Sequence, residues 1–214
     1  MSISSLTTRW WLMLKASAAI TMKRHQDAID AYRQILALRP DDKEARAVIG
    51  NLYAEAGDLA SAVKEFERLV QFDPTQADAW FNLGFLHDKR DELAAAERCF
   101  RKAVELRPTL DRAWYGLGLV LVRDGRLEAA IEAFERNVKL QPHSPYGYYQ
   151  LAMTHHHLGQ SAEAWLVHRQ LLEFEPKFAA TLKRDLEQTV PRAASRISPG
   201  SSPKKEETTA ETAE

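Results

Sequence analysis

"WYGLGLVLVRDGRLEAAIEAFERNVKLQP", residues 114–142, decides the fold. Trp114, Leu117, Gly118 and Leu121 follow one another at i, i+3, i+4 and i+7, the spacing of one face of a helix. Ala130 and Phe134 mark the buried face of a second helix, with a small residue for close approach and a ring four places on to fill the gap. Gly125 stands between the two runs, where a turn needs left-handed backbone. Pro142 closes the second run, which it cannot continue. The stretch reads as a helical hairpin, and a hairpin alone leaves one face uncovered.

Its neighbours supply the cover. Pro40, Pro74, Pro108, Pro142 and Pro176 are each 34 residues apart, a period that marks a stacked-repeat protein. Ala28, Ala62, Ala96, Ala130 and Ala164 keep the same register, each followed four residues later by Tyr32, Phe66, Phe100, Phe134 or His168. Gly50, Gly84 and Gly118 form another column, and Gly57, Gly125 and Gly159 a third. Enlarging a buried alanine of such a column would overpack the contact at about 1–3 kcal/mol.

The period, with W-x2-L-G-x2-Y, then A-x3-F, then P, resembles the tetratricopeptide repeat (TPR). "WFNLGFLHDKRDELAAAERCFRKAVELRP" carries it through Trp80, Leu83, Gly84, Ala96, Phe100 and Pro108. The opening stretch carries it through Trp114, Leu117, Gly118, Gly125, Ala130, Phe134 and Pro142. The resemblance implies an all-α fold, a right-handed superhelical solenoid of five helical hairpins. Its units are 9–42, 43–76, 77–110, 111–144 and 145–178, after an N-terminal lead, 1–8. The pattern is not kept everywhere. The tyrosine column reads Ala19, Tyr53, His87, Leu121 and His155, and Lys15 stands where leucine is expected. Sliding the first helix by one residue would instead place Trp11 and Leu14 in the tryptophan and leucine columns; both registers remain open.

Beyond the last unit, Phe178, Leu182, Leu186 and Val190 recur at helical spacing, so a capping helix is expected over 179–190. From Pro191 the chain is rich in Ser, Pro, Thr and Glu and has too few apolar residues to fold, so 191–214 reads as a disordered tail with Ser198-Pro199 and Ser202-Pro203 as candidate phosphorylation sites. The 214 residues are 45% hydrophobic and 28% charged, with a formal charge of −1. Signs are interleaved, so no basic face points to nucleic acid. Cys99 is the only cysteine, which fits a reducing, cytoplasmic setting. "RWWLMLKASAAITM" is broken by Lys15, too short an apolar run for an export signal or a membrane span.

His155, His156 and His157 follow one another on a helix and are spread about 100° apart, so they cannot converge on one metal. His155, in the tyrosine column, is expected to face the interior and bond a neighbour. No zinc spacing, phosphate loop or nucleophile elbow occurs, and Cys99 reads as a packing residue beside Phe100 rather than a partner for His87 and Asp88. Neither enzyme activity, cofactor nor metal is expected.

In the family resembled, the first helices line a concave surface that grips a partner. By register, the resemblance implies a groove of Asn51, Phe81, Asn82, Phe85, Arg112, Tyr115, Leu119, Arg123, Tyr146, Tyr149, Met153 and His156. It is aromatic and basic toward the C-terminus, and His156 and His157 would add charge there near pH 6. Such a strip fits a partner peptide or helix that is apolar with a carboxylate near Arg112 or Arg123. Three readings follow: a non-enzymatic scaffold or adaptor, a targeting or assembly chaperone for an unassembled client, and a self-assembling protein joined through Trp10 and Trp11 of the N-terminal unit. The subclass that clamps chaperone tails is set aside, because Ala47 and Gly116 stand where it needs lysine and arginine.

Overall fold

The computed structural model describes residues 3–188; Val190, the tail and its Ser-Pro pairs lie outside the described residues. Ten helices pair in order: α1 (Ile3–Thr21) with α2 (His25–Leu38), α3 (Lys43–Glu55) with α4 (Leu59–Phe72), and α5 (Ala77–Lys89) with α6 (Leu93–Leu106). Then come α7 (Asp111–Arg123) with α8 (Leu127–Leu140), α9 (Pro145–His157) with α10 (Ser161–Phe174), and a last helix, α11 (Pro176–Gln188). Each second helix also packs on the first helix of the next hairpin, and successive clusters of buried residues are joined through half-buried side chains such as Trp80, Tyr53 and Tyr32. The result is the expected all-α solenoid.

Inside a hairpin the columns meet as a ring under a glycine. A Cβ added at Gly50 would lie 2.6 Å from the Phe66 ring, at Gly84 2.9 Å from Phe100, and at Gly118 2.5 Å from Phe134. Those three phenylalanines are among the most deeply buried side chains of the molecule. The turn glycines Gly57, Gly125 and Gly159 have φ of +82, +79 and +79°, and the same place is taken by Lys23 (φ +56°) and Asp91 (φ +63°) in the other two units.

Between hairpins a second contact repeats. The fourth residue of each unit from the second onward donates a hydrogen bond to the carbonyl of the preceding proline. Arg46 reaches Pro40 at 3.3 Å, Trp80 reaches Pro74 and Trp114 reaches Pro108 at 2.9 Å, and Tyr148 reaches Pro142 at 3.2 Å. The proline oxygen lies beyond its helix and has no ladder partner, so the donor satisfies it while holding the next unit in place.

Two expectations about the ends are corrected. The lead is not separate: α1 begins at Ile3, because no proline or glycine interrupts it before Arg9. The last helix begins at Pro176 rather than at 179, since proline is tolerated in a first helical turn. Pro176 therefore opens a helix where the other four follow one. The open register of α1 also closes on the unshifted choice: Leu12, Ala16 and Ala19 are buried, while Trp11 and Leu14 point outward.

Two consequences follow. Gly118→Ala should lower stability by about 1–3 kcal/mol, less up to about 1 kcal/mol regained from helix propensity, and an unchanged urea midpoint would show that the Phe134 ring is not seated there. Lys23→Gly should raise stability by up to about 1 kcal/mol by relieving the left-handed backbone; a lower melting temperature would count against that strain.

Candidate functional site

The side chains assigned to the groove stand on α3, α5, α7 and α9, and their exposure divides them. Asn51, Phe85, Arg112, Arg123 and Tyr146 are exposed, with Phe85 at 45% and Tyr146 at 60%. Phe81, Asn82, Tyr115, Leu119, Tyr149 and Met153 are half-buried. Two of these rings lean on the buried ring of their own unit, Phe81 on Phe100 at 5.9 Å between centroids and Tyr115 on Phe134 at 6.0 Å. They are floor more than free anchor.

At the C-terminal end α11 takes the position of a further first helix. Tyr149 packs edge-on against Phe178 at 5.8 Å and donates its hydroxyl to Asp185 at 2.7 Å, and Tyr146 also meets Phe178, at 5.5 Å. Burial, and then the Asp185 carboxylate, push the Tyr149 phenol up to about 12. Tyr149 is thus a clip to the cap and is withdrawn from the groove. His156 is corrected too: it is only 6% exposed, where the matching Ala54, Asp88 and Val122 are half-buried. His155 is half-buried, with Nδ1 2.7 Å from Gln160 Oε1. His87 repeats the arrangement with Glu92 at 2.6 Å, so a histidine in the tyrosine column bridges the turn below it.

The arginines of the groove already hold acids of this chain. Asp78 accepts from both Arg107 and Arg112, and Arg123 joins Asp88 to Asp91. Farther out Arg126 reaches Glu97 and Asp124. Acids on the third unit therefore face arginines on the fourth, in a seam along the groove and its rim. Arg112 also lies over the Phe81 ring at 4.5 Å, and Lys89 over Phe85 at 5.2 Å. Where α7, α8 and α9 meet there is a cavity of about 420 Å³, lined by Arg112, Tyr115, Asn137, Gln141, Ser144 and Tyr146 among others. A larger one, about 610 Å³, lies at the N-terminal end between Arg9, Arg39, Asp42, Lys43, Glu44 and Gln76.

With this geometry in view, comparisons with known proteins agree on the architecture. The family model of the Cilia and flagella-associated protein 70 middle TPR-like domain matches residues 53–175, more than half the chain. A tetratricopeptide repeat model matches residues 19–83. The chain is a tetratricopeptide-repeat protein. Among solved structures, this TPR protein is similar to MamA, with 28% identity, a TM-score of 0.73, and 81% of this chain and 94% of that one covered. A MamA from Desulfovibrio magneticus RS-1 matches at 20% identity and a TM-score of 0.69, over 83% of this chain and 96% of that one. YrrB, described as a TPR protein with an unusual peptide-binding site, matches at 20% and 0.68, over 79% of this chain and 88% of that one. A search of curated proteins returned no match.

One polar contact in this TPR solenoid escaped the sequence reading. Asn137 is buried at a place held by Ile35, Leu69, Ala103 and Leu171 in the other units, and its amide donates to the Asp111 carbonyl at 2.9 Å. A Cβ on Gly147 would come within 2.2 Å of Asn137 Oδ1, and the matching places are Ala45, Ala79 and Ala113. The paired departure, alanine to glycine opposite apolar to asparagine, was the available signal. Cys99 is buried beside Gly84, and burial pushes its thiol up to about 11, so it is protonated at neutral pH. His87 and Asp88 are paired elsewhere, with Glu92 and Arg123. Among the described residues, no three His, Cys, Asp or Glu side chains are grouped to hold a metal ion.

The seam has a pH signature. Arg107, and then Arg112, hold the Asp78 carboxyl below its ordinary value against a smaller opposing effect of burial. The stabilisation this gives is present above the ordinary carboxylate range and is lost as pH falls through the lowered value. The difference in melting temperature between wild type and Asp78→Asn should therefore be largest near neutral pH and shrink in acid. A difference that grows on acidification would reverse that assignment.

Proposed function

We propose that this protein is a non-enzymatic interaction scaffold whose concave face, from α5 to α9, receives a segment of a partner protein. The observation that carries the reading is a cavity lined by Arg112, Tyr115 and the exposed ring of Tyr146, with a second exposed ring, Phe85, on α5. Exposed rings and arginine are the composition of interface centres. The peptide-binding site named for YrrB, which shares this fold, supports it. The segment is apolar with a carboxylate. That carboxylate takes Arg112 or Arg123 in exchange for Asp78, or for Asp88 and Asp91, so charge in the groove is swapped rather than newly buried.

Peptides selected from a random library against the full chain supply the test. Phe85→Ala with Tyr146→Ala should weaken the selected peptides by at least about 30-fold, roughly 2 kcal/mol, with only a small drop in melting temperature from the lost Tyr146–Phe178 edge contact. Peptides rich in Asp or Glu should lose affinity again on Arg112→Ala. Retained affinity in the ring variant would place the partner on another surface.

A further inference from the structure

The outer, exposed face of α1 lies outside the α5 to α9 groove, although Trp10 and Met13 hold the unit places of Tyr146 and Phe81. Leu12, Ala16 and Ala19 form its packed side and are buried. With successive residues about 100° apart, Trp10 and Leu14 fall on the opposite side, and Trp11 and Met13 flank them. These four are 66%, 49%, 56% and 40% exposed respectively, and Ile20 and Met22 extend the apolar surface toward the turn. Such a concentration of large apolar side chains on the end helix of a stack is far from the scattered single residues normal on a surface.

Charge points to what covers it. Residues 1–26 contain Arg9, Lys15, Lys23 and Arg24 and no aspartate or glutamate. The whole chain carries −1, so the remainder carries −5, because −1 − (+4) = −5. Arg9 is turned inward to Asp42 at 3.3 Å and Arg24 is paired with Asp27. Lys15 stays at the margin of the apolar face, 5.5 Å from the Trp11 ring centroid, and Lys23 follows in the turn. A symmetric pairing would lay one such face, with Lys15 and Lys23 and no acid in residues 1–26, against an identical one, so no carboxylate of these segments would offset the lysines. A plane of anionic headgroups over an apolar interior meets both features at once: tryptophan rings settle at headgroup depth, and lysines reach the phosphates around them.

We propose that the outer face of α1 is a peripheral docking surface for anionic lipid bilayers, with Trp10, Trp11, Met13 and Leu14 entering the headgroup region and Lys15 and Lys23 contacting phosphate. The helix lies on the surface and does not cross it: no helix among the described residues is long and apolar enough to span a membrane. The groove proposed above lies on α5 to α9, so lipid binding and peptide binding are separated by different variants, Trp10 and Trp11 for the one and Phe85 and Tyr146 for the other.

Co-sedimentation of the full chain with extruded vesicles tests it. Vesicles of phosphatidylcholine and phosphatidylglycerol at roughly three to one should retain the protein, and phosphatidylcholine alone should retain it at least about tenfold less. Trp10→Ala with Trp11→Ala, and separately Lys15→Glu with Lys23→Glu, should each lower partitioning onto the anionic vesicles about tenfold or more, with wild-type melting temperatures. Absence of binding, or binding unchanged in both variants, overturns the proposal. So does a lipid-free mass that rises with concentration in the wild type and not in the tryptophan variant, since the face would then belong to a second copy of the chain.

Discussion

Everything in the stack rests on how close two helices of a hairpin can come. In the three central units a phenylalanine ring of the second helix lies against the backbone of the first, where only glycine leaves room. This contact sets the hairpin geometry, and so fixes how the first helices are presented to the concave side. The end units relax it in a correlated way. Ala16 faces the Tyr32 position, and Ala152 the His168 position, so each loss of phenylalanine is matched by a gain of Cβ opposite. The change is local to the ends, where a repeat has a neighbour on one side and tolerates a less compact seam.

The hairpins are then keyed to one another by polar contacts. Arg46, Trp80, Trp114 and Tyr148 share no shape, yet all carry an N–H or O–H that reaches the proline carbonyl before them. Leu12 heads the first unit, which has no preceding proline to satisfy. The column conserves a donor rather than a ring, and the terminal exception follows from the same rule. Stacking is thus specified twice, by burial within units and by a satisfied carbonyl between them.

The fold was legible in the sequence because a repeat shows the same physical choice five times, and agreement among Pro40, Pro74, Pro108, Pro142 and Pro176 leaves little room for another period. The site was legible only as positions. Register placed Phe85, Arg112 and Tyr146 on the first helices, but nothing local says that Phe178 and Asp185 return to Tyr149, or that His156 is buried. Those are contacts at the end of the stack, where the period stops being informative. Pairing was hidden for a similar reason: Arg123 looks free in a single unit, and its acids lie in the unit before. Asn137 and Gly147 were visible as two departures, yet their complementarity is a matter of one distance across two helices.

The acid–arginine seam also bears on selectivity. Its pairs are largely solvent-exposed, and pairs of that kind each contribute little to stability. Their larger effect is to keep Arg112 and Arg123 oriented and compensated, which on the proposed reading lasts until a competing carboxylate arrives. A free acid of low affinity gains almost nothing by displacing Asp78, since one exposed ion pair replaces another. A segment that also seats an apolar side chain against Phe85, or in the cavity beside Tyr146, removes water from the exchange and strengthens the new pair. On the proposed reading the groove rejects charge alone and accepts charge that comes attached to an apolar anchor, which is a requirement on two features of one ligand at a fixed separation.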